Sequence, residues 1–151
     1  MRNISLSRVH GTILASAFLL FSLLNIFATT GVDRYEIYLN NKLLFSQTLL
    51  DKPLNLYNLK LNEANANDQI TIRYTQCNAP EKGVGRGRSI SLRDNNGNIV
   101  KEWKFKDELS NEMTIPVNEL LKYQDRGGEL TLYYAAEGLS KGQKLASLQS
   151  A

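Results

Sequence analysis

Between Glu81 and Arg88 the chain reads EKGVGRGR, with three glycines alternating with other residues and three cations, Lys82, Arg86 and Arg88, within seven positions. Glycine lets backbone amides converge on an anion, and arginine adds a planar fork suited to carboxylate or phosphate. Lys82, Gly85, Arg86, Gly87 and Arg88 are therefore the first ligand-binding candidates. The stretch is not a P-loop, since no Gly-Lys-Ser/Thr follows. It is not a dinucleotide fingerprint either, because the spacing differs and no helix comes after it. A flexible connection between strands, its charge solvated, is the plainer reading of the same residues.

Three further groups bear on chemistry. Cys77 lies between Arg73 and Lys82, and nearby cations make a thiol more reactive. A lone cysteine in an oxidising compartment points to an intermolecular bridge, against the plainer reading of a buried, inert thiol at a strand end. Asp94, Asn96 and Asn98 alternate as in a calcium loop, but Ile99 and Phe105 stand where an EF-hand needs glycine and glutamate, so a hairpin turn is expected. Tyr38 and Tyr133 fall on the phase opposite the aliphatic residues of their strands. Exposed tyrosines there can stack on sugar rings or anchor a protein partner.

Other chemistries find no residues. The one histidine, His10, lies in a segment expected to be removed. Without it no Ser-His-Asp or Cys-His mechanism can run, and the usual imidazole-based metal sites are not available. The acids from Asp51 to Glu112 are scattered, and their spacing singles out no pair for glycoside hydrolysis. No catalytic residue, metal ligand or cofactor is assigned.

The elements that must position these residues are short strands. Period-two alternation marks Arg34–Leu39, Lys42–Gln47, Tyr57–Leu61, Gln69–Gln76, Ser89–Asp94, Ile99–Phe105, Met113–Val117, Glu129–Tyr134 and Lys144–Leu148. Leu54 and Leu56 alternate on the other parity from Tyr57, Leu59 and Leu61, which suggests a bulge or break. Asn40-Asn41 suits a tight hairpin, and Asn95-Asn96-Gly97-Asn98 predicts another, with Asn-Gly in a type I′ turn. Asn62–Asp68 reads as a polar loop. Asn118–Tyr123, capped by Asn118, is the one helical candidate, about one and a half turns near 118–124. The spacing predicts an all-β domain: a single β-sandwich, Ig-like or jelly-roll in outline, of about eight strands over 32–151. Trp103 is the expected core tryptophan. Lys144–Leu148 and Leu43–Phe45 are the expected edge strands.

The first thirty residues set the compartment. Arg2 and Arg8 precede an uncharged run, and Ala28, Thr29 and Thr30 follow it, as in a secretory signal peptide over 1–28 cleaved after Ala28 or Thr30. An uncleaved anchor is the alternative and the one expected route to a membrane. Two of the 18 basic residues and none of the 15 acidic ones lie in the signal, so its loss takes the net charge from +3 to +1. That balance gives no nucleic-acid footprint. The expectation is a secreted or periplasmic protein of a bacterial envelope that binds a glycan, an envelope component or a protein without turning it over. The alternatives are an assembly subunit pairing through an exposed edge strand and, less favoured, a carboxylate-based hydrolase.

Overall fold

A computed structural model describes residues 31–49, 56–77, 79, 83–107, 110–124, 128–139 and 141–150. The expected signal segment, Leu54 and Lys82 lie outside them. Nine strands are present among the described residues: β1 (Arg34–Leu39), β2 (Lys42–Thr48), β3 (Tyr57–Leu61), β4 (Gln69–Thr75), β5 (Ser89–Arg93), β6 (Ile99–Lys104), β7 (Glu112–Pro116), β8 (Leu130–Ala135) and β9 (Gln143–Ser150). One helix, α1 (Val117–Gln124), follows β7. The strands form two sheets, ordered β2-β1-β4-β7 and β3-β9-β8-β5-β6. All pairs are antiparallel except β3 with β9. The domain is an all-β sandwich.

The alternation seen in the sequence builds the core. Tyr35, Ile37, Ile70, Ile72, Tyr74, Met113 and Ile115 face inward from one sheet, and Leu59, Leu61, Ile90, Leu92, Leu132 and Tyr134 from the other, each no more than 1% exposed. Burying each such side chain is worth roughly 1.5–3 kcal/mol. Three tyrosines run through this core. The Tyr35 and Tyr74 rings are parallel at 6.4 Å, and Tyr74 stacks across the sheets on Tyr134 at 3.9 Å. At one side, Phe45 of β2 stacks on Tyr57 of β3 at 5.1 Å and ties the two edge strands together.

Several sequence expectations need correction. Lys144–Leu148 is not an edge: β9 lies between β3 and β8. A bulge disguises it. Leu132 pairs with Ala146 and Tyr133 with Lys144, so Leu145 is an extra residue, and Leu145 and Ala146 are both buried. Trp103 is only half-buried, because β6 is an edge strand. A second bulge at Val100 turns Ile99 outward, where it is 56% exposed. The type I′ turn is made by Asn40-Asn41, whose φ angles are 46° and 67°. At 94–98 Gly97 alone has positive φ, 82°, and its N–H donates to Asp94 O at 2.9 Å. That geometry is a type I turn followed by a left-handed glycine. Asn118 lies inside α1 rather than capping it. The polar loop at 62–68 contains a 3-10 turn, Glu63–Asn65, with Asn62 and Asn65 closing a capping box.

The sandwich has two unlike ends. The Asn40-Asn41 turn, the 62–68 turn, the 94–98 turn and α1 close one. The residues before β1, the β4–β5 connection, the β6–β7 connection and the β8–β9 connection gather at the other.

Candidate functional site

The candidate site is at this second end. The β4–β5 connection folds back over the sheets through backbone bonds: Gln76 N–H donates to Gly83 O at 2.7 Å and Glu137 N–H to Arg86 O at 2.9 Å. Val84, 7% exposed, is its apolar anchor. Beside the connection lies a cavity of about 360 Å³, walled by Asp33, Gln76, Gly85, Arg86, Glu137 and Leu139. That is within the size range of small-ligand sites.

Asp33 and Gln76 reach the cavity because each continues the inward phase of a strand by one step. Asp33 precedes Tyr35, Ile37 and Leu39, and Gln76 follows Ile70, Ile72 and Tyr74. A polar residue in a core-facing phase was the available signal, and the sequence reading passed over it, as it did Glu137 and Leu139. Asp33 accepts two hydrogen bonds, from the Tyr74 hydroxyl at 2.8 Å and from Cys77 N–H at 2.9 Å. Gln76 is 9% exposed, and its Nε2 donates to Glu137 O at 3.3 Å. That bond fixes which way the amide points. Its Oε1 then lies against Gly85 and has no hydrogen-bond partner, and the buried Tyr134 hydroxyl, also against Gly85, has none either.

Gly85 is required by space. A Cβ there would sit 2.6 Å from the Tyr134 hydroxyl, 2.7 Å from Gln76 Oε1 and 2.8 Å from Ala136 Cβ. Burial pushes Tyr134 up to about 12, with Asp33 adding to the rise and Arg88 opposing it. Burial raises Tyr35 to about 12 as well. Tyr74 is raised further, by burial first and then by its bond to Asp33.

The structure separates the residues that the sequence grouped. Gly85 and Arg86 line the cavity, and Arg86 is exposed. Arg88 faces elsewhere. It is 3% exposed and donates from Nη1 to Ser110 O at 2.7 Å and from Nη2 to Lys106 O at 2.6 Å, pinning the β6–β7 connection. Its Nε has no partner. Gly87, at φ 60°, donates its N–H to Asp107 Oδ1 at 2.8 Å. Tyr38 and Tyr133 do point outward, but from opposite sheets, and each carries an arginine on its ring. Arg73 lies 4.6 Å from the Tyr38 centroid and Arg93 4.4 Å from that of Tyr133. The Tyr38 hydroxyl also donates to Glu36 at 2.7 Å, the main cause of its raised pKa. No single surface therefore joins the loop to both tyrosines. Cys77 is half-buried, its sulfur packed close to Gly31.

The 94–98 turn binds its own carboxylate. Asp94 accepts from Asn96 N–H at 2.9 Å, from Asn98 N–H at 2.8 Å and from Asn98 Nδ2 at 3.0 Å, and these donors lower its pKa. Among the described residues no group of three or more His, Cys, Asp or Glu is placed to hold a metal ion. Comparison of the chain with family models, with curated proteins and with solved structures finds no match. Any functional reading therefore rests on the site's own chemistry.

Proposed function

We propose that the chain is a secreted binding module that seats a small polar ligand of the cell envelope, a glycan unit or a peptide, in the cavity beside the β4–β5 connection, and that it acts by binding rather than turnover. The observation that carries this reading is Asp33 in the cavity wall. Each of its carboxylate oxygens accepts one protein hydrogen bond and keeps a lone pair for a ligand donor. The wall also combines polar groups with the apolar faces of Ala79 and Leu139, as small-molecule sites do.

The test is a thermal-shift screen of the full chain against oligosaccharides, peptidoglycan fragments, calcium and simple anions. A ligand at about 100 times its Kd adds about 2.7 kcal/mol, several degrees of Tm for a domain of this size. The expected result is a rise with one class that shrinks in Arg86→Ala. A flat screen from a folded protein refutes small-ligand binding by those classes.

Assembly through a strand edge is the second reading, and β2 favours it. Leu43 is 49% exposed, and β2 from Leu43 to Thr48 carries no charge or proline. The other edges are interrupted by Lys60, by Lys101, Glu102 and Lys104, or by Glu112 and Pro116. Under this reading the mass in solution rises with protein concentration and falls back in Leu43→Lys. A constant monomer mass refutes it.

A further inference from the structure

Asparagine is among the chemically labile residues, and Asn96 is the one asparagine of the chain that a glycine follows. Asn96-Gly97 lies in the turn between β5 and β6, and both residues are exposed. The turn engages only the backbone of Asn96, whose N–H donates to Asp94 Oδ1 at 2.9 Å. Its carboxamide makes no hydrogen bond with a described residue. Beyond its chain neighbours, nothing lies within 4 Å of a Cβ built on Gly97, so the backbone nitrogen after Asn96 stands in open space.

Other asparagine side chains are held. Asn40 donates to Asp68 and accepts from Gln69 N–H, Asn98 donates to Asp94, Asn111 donates to Thr75, and Asn58 accepts from Ser147. Asn41 and Asn95 are exposed, but Lys42 and Asn96 follow them, and a Cβ there hinders the close approach that glycine allows. One restraint acts on the Asn96 pair: Gly97 N–H donates to Asp94 O at 2.9 Å. That bond must open before the nitrogen can react. The turn leads into the edge strand β6, and exposed connections of this kind open locally at small cost.

We propose that Asn96 is a site of spontaneous covalent modification, its amide passing through a cyclic imide to a mixture of aspartate and isoaspartate. The Gly97 nitrogen loses its proton to solvent base and attacks Asn96 Cγ. The new Cγ–N bond closes a succinimide ring, the Cγ–Nδ2 bond breaks, and Nδ2 leaves as ammonia. Water then opens the ring at either carbonyl. Cleavage of the new bond gives aspartate. Cleavage of the original peptide bond gives isoaspartate, whose backbone runs through Cβ and Cγ. Water is the co-reactant, and nothing is oxidised or reduced. The imide nitrogen has no hydrogen to give Asp94 O, and either product adds a carboxylate to a turn already built around that of Asp94. Both changes weaken the closure of the β5–β6 hairpin.

The experiment is incubation of the full chain in neutral buffer, folded and in urea, followed by peptide mass mapping and enzymatic methylation of isoaspartate. In the folded chain the peptide containing Asn96 is expected to convert before every other asparagine peptide, with isoaspartate among its products. Its rate is expected to stay within about 10-fold of the rate in urea, as an easily opened turn allows. Asn96→Ser is expected to abolish the early isoaspartate signal. Conversion of another asparagine first overturns the assignment. Conversion of Asn96 in urea but not in the folded chain overturns it as well, since the Gly97–Asp94 bond then protects the site. Aspartate without isoaspartate overturns the cyclic route.

Discussion

The two ends of the sandwich satisfy their polar groups in opposite ways. At the turn end, short connections close on themselves. Asn40 donates to Asp68 at 2.6 Å and accepts from Gln69 N–H at 2.9 Å, Asn65 donates to the other Asp68 oxygen at 2.9 Å, and Val117 N–H reaches Asp68 O at 2.9 Å. The amide donors hold the Asp68 carboxyl below the usual carboxylate range. At the loop end, longer connections leave Gln76 Oε1, the Tyr134 hydroxyl and Arg88 Nε buried without partners. Among the described residues the buried polar atoms without a partner all lie at the loop end, and each carries a desolvation cost that the self-closed turns at the other end avoid.

The sharpest way to test the contrast lies within the loop itself. Arg86 and Arg88 look equivalent in the sequence and differ completely in the structure. Arg88→Ala leaves the carbonyls of Lys106 and Ser110 without their donors and empties a buried site. It is expected to cost about 3–5 kcal/mol, as breaking a buried charged contact does. Arg86→Ala, at an exposed position, is expected to stay within about 0.5 kcal/mol. Chemical denaturation of both variants decides it. An Arg88→Ala protein as stable as the parent would remove the structural role assigned to that side chain.

The same pair shows what was legible beforehand. Alternation located the strands, because burial on one face of a sheet imposes period two, and Ile70, Ile72 and Tyr74 all proved buried. Parity also placed Tyr38 and Tyr133 on the outer faces. Strand order was not legible, because pairing joins residues far apart and leaves no local mark, and the bulge at Leu145 made the interior strand β9 resemble an edge. The loop drew attention through its composition, yet composition cannot say which arginine turns inward. The cavity brings Asp33, Gln76 and Glu137 together from three separate connections. Only the inward phase of Asp33 and Gln76 hinted at them.

Glycine offers a smaller but cleaner comparison. Gly85 is required for space, whereas Gly97 is required for its backbone angle, since nothing lies within 4 Å of a Cβ built there. Gly85→Ala is expected to cost about 1–3 kcal/mol by overpacking against Tyr134 and Gln76. Gly97→Ala is expected to cost about 1 kcal/mol, the penalty of a left-handed L-residue. Asparagine separates the two mechanisms. It tolerates the left-handed region, so Gly97→Asn should recover most of the loss, while Gly85→Asn should be worse than Gly85→Ala. Equal behaviour of asparagine at both positions in thermal unfolding would contradict the distinction.

The smallest effect expected near neutral pH concerns the three stacked tyrosines. The Tyr35 hydroxyl donates to Leu145 O at 2.8 Å and that of Tyr74 to Asp33 at 2.8 Å, but that of Tyr134 has no partner. Tyr35→Phe should therefore lose about 1 kcal/mol, while Tyr134→Phe should be neutral or slightly stabilising, since it removes a buried hydroxyl that bonds to nothing. Alkali reverses the comparison. Tyr35 and Tyr134 both titrate near 12 in the folded chain, against an ordinary value of 10.0. Above pH 10 the unfolded chain loses these protons while the folded chain keeps them, so the stability they contribute is present below pH 10 and is lost as pH rises through 12. Removing one raised tyrosine removes its share of that loss. Tyr134→Phe should then denature less steeply than the parent between pH 10 and 12. A Tyr134→Phe protein that is clearly destabilised at pH 7, with an unchanged alkaline slope, would mean that the hydroxyl has a partner inside the protein, and the contrast between the two ends would lose one of its three buried groups.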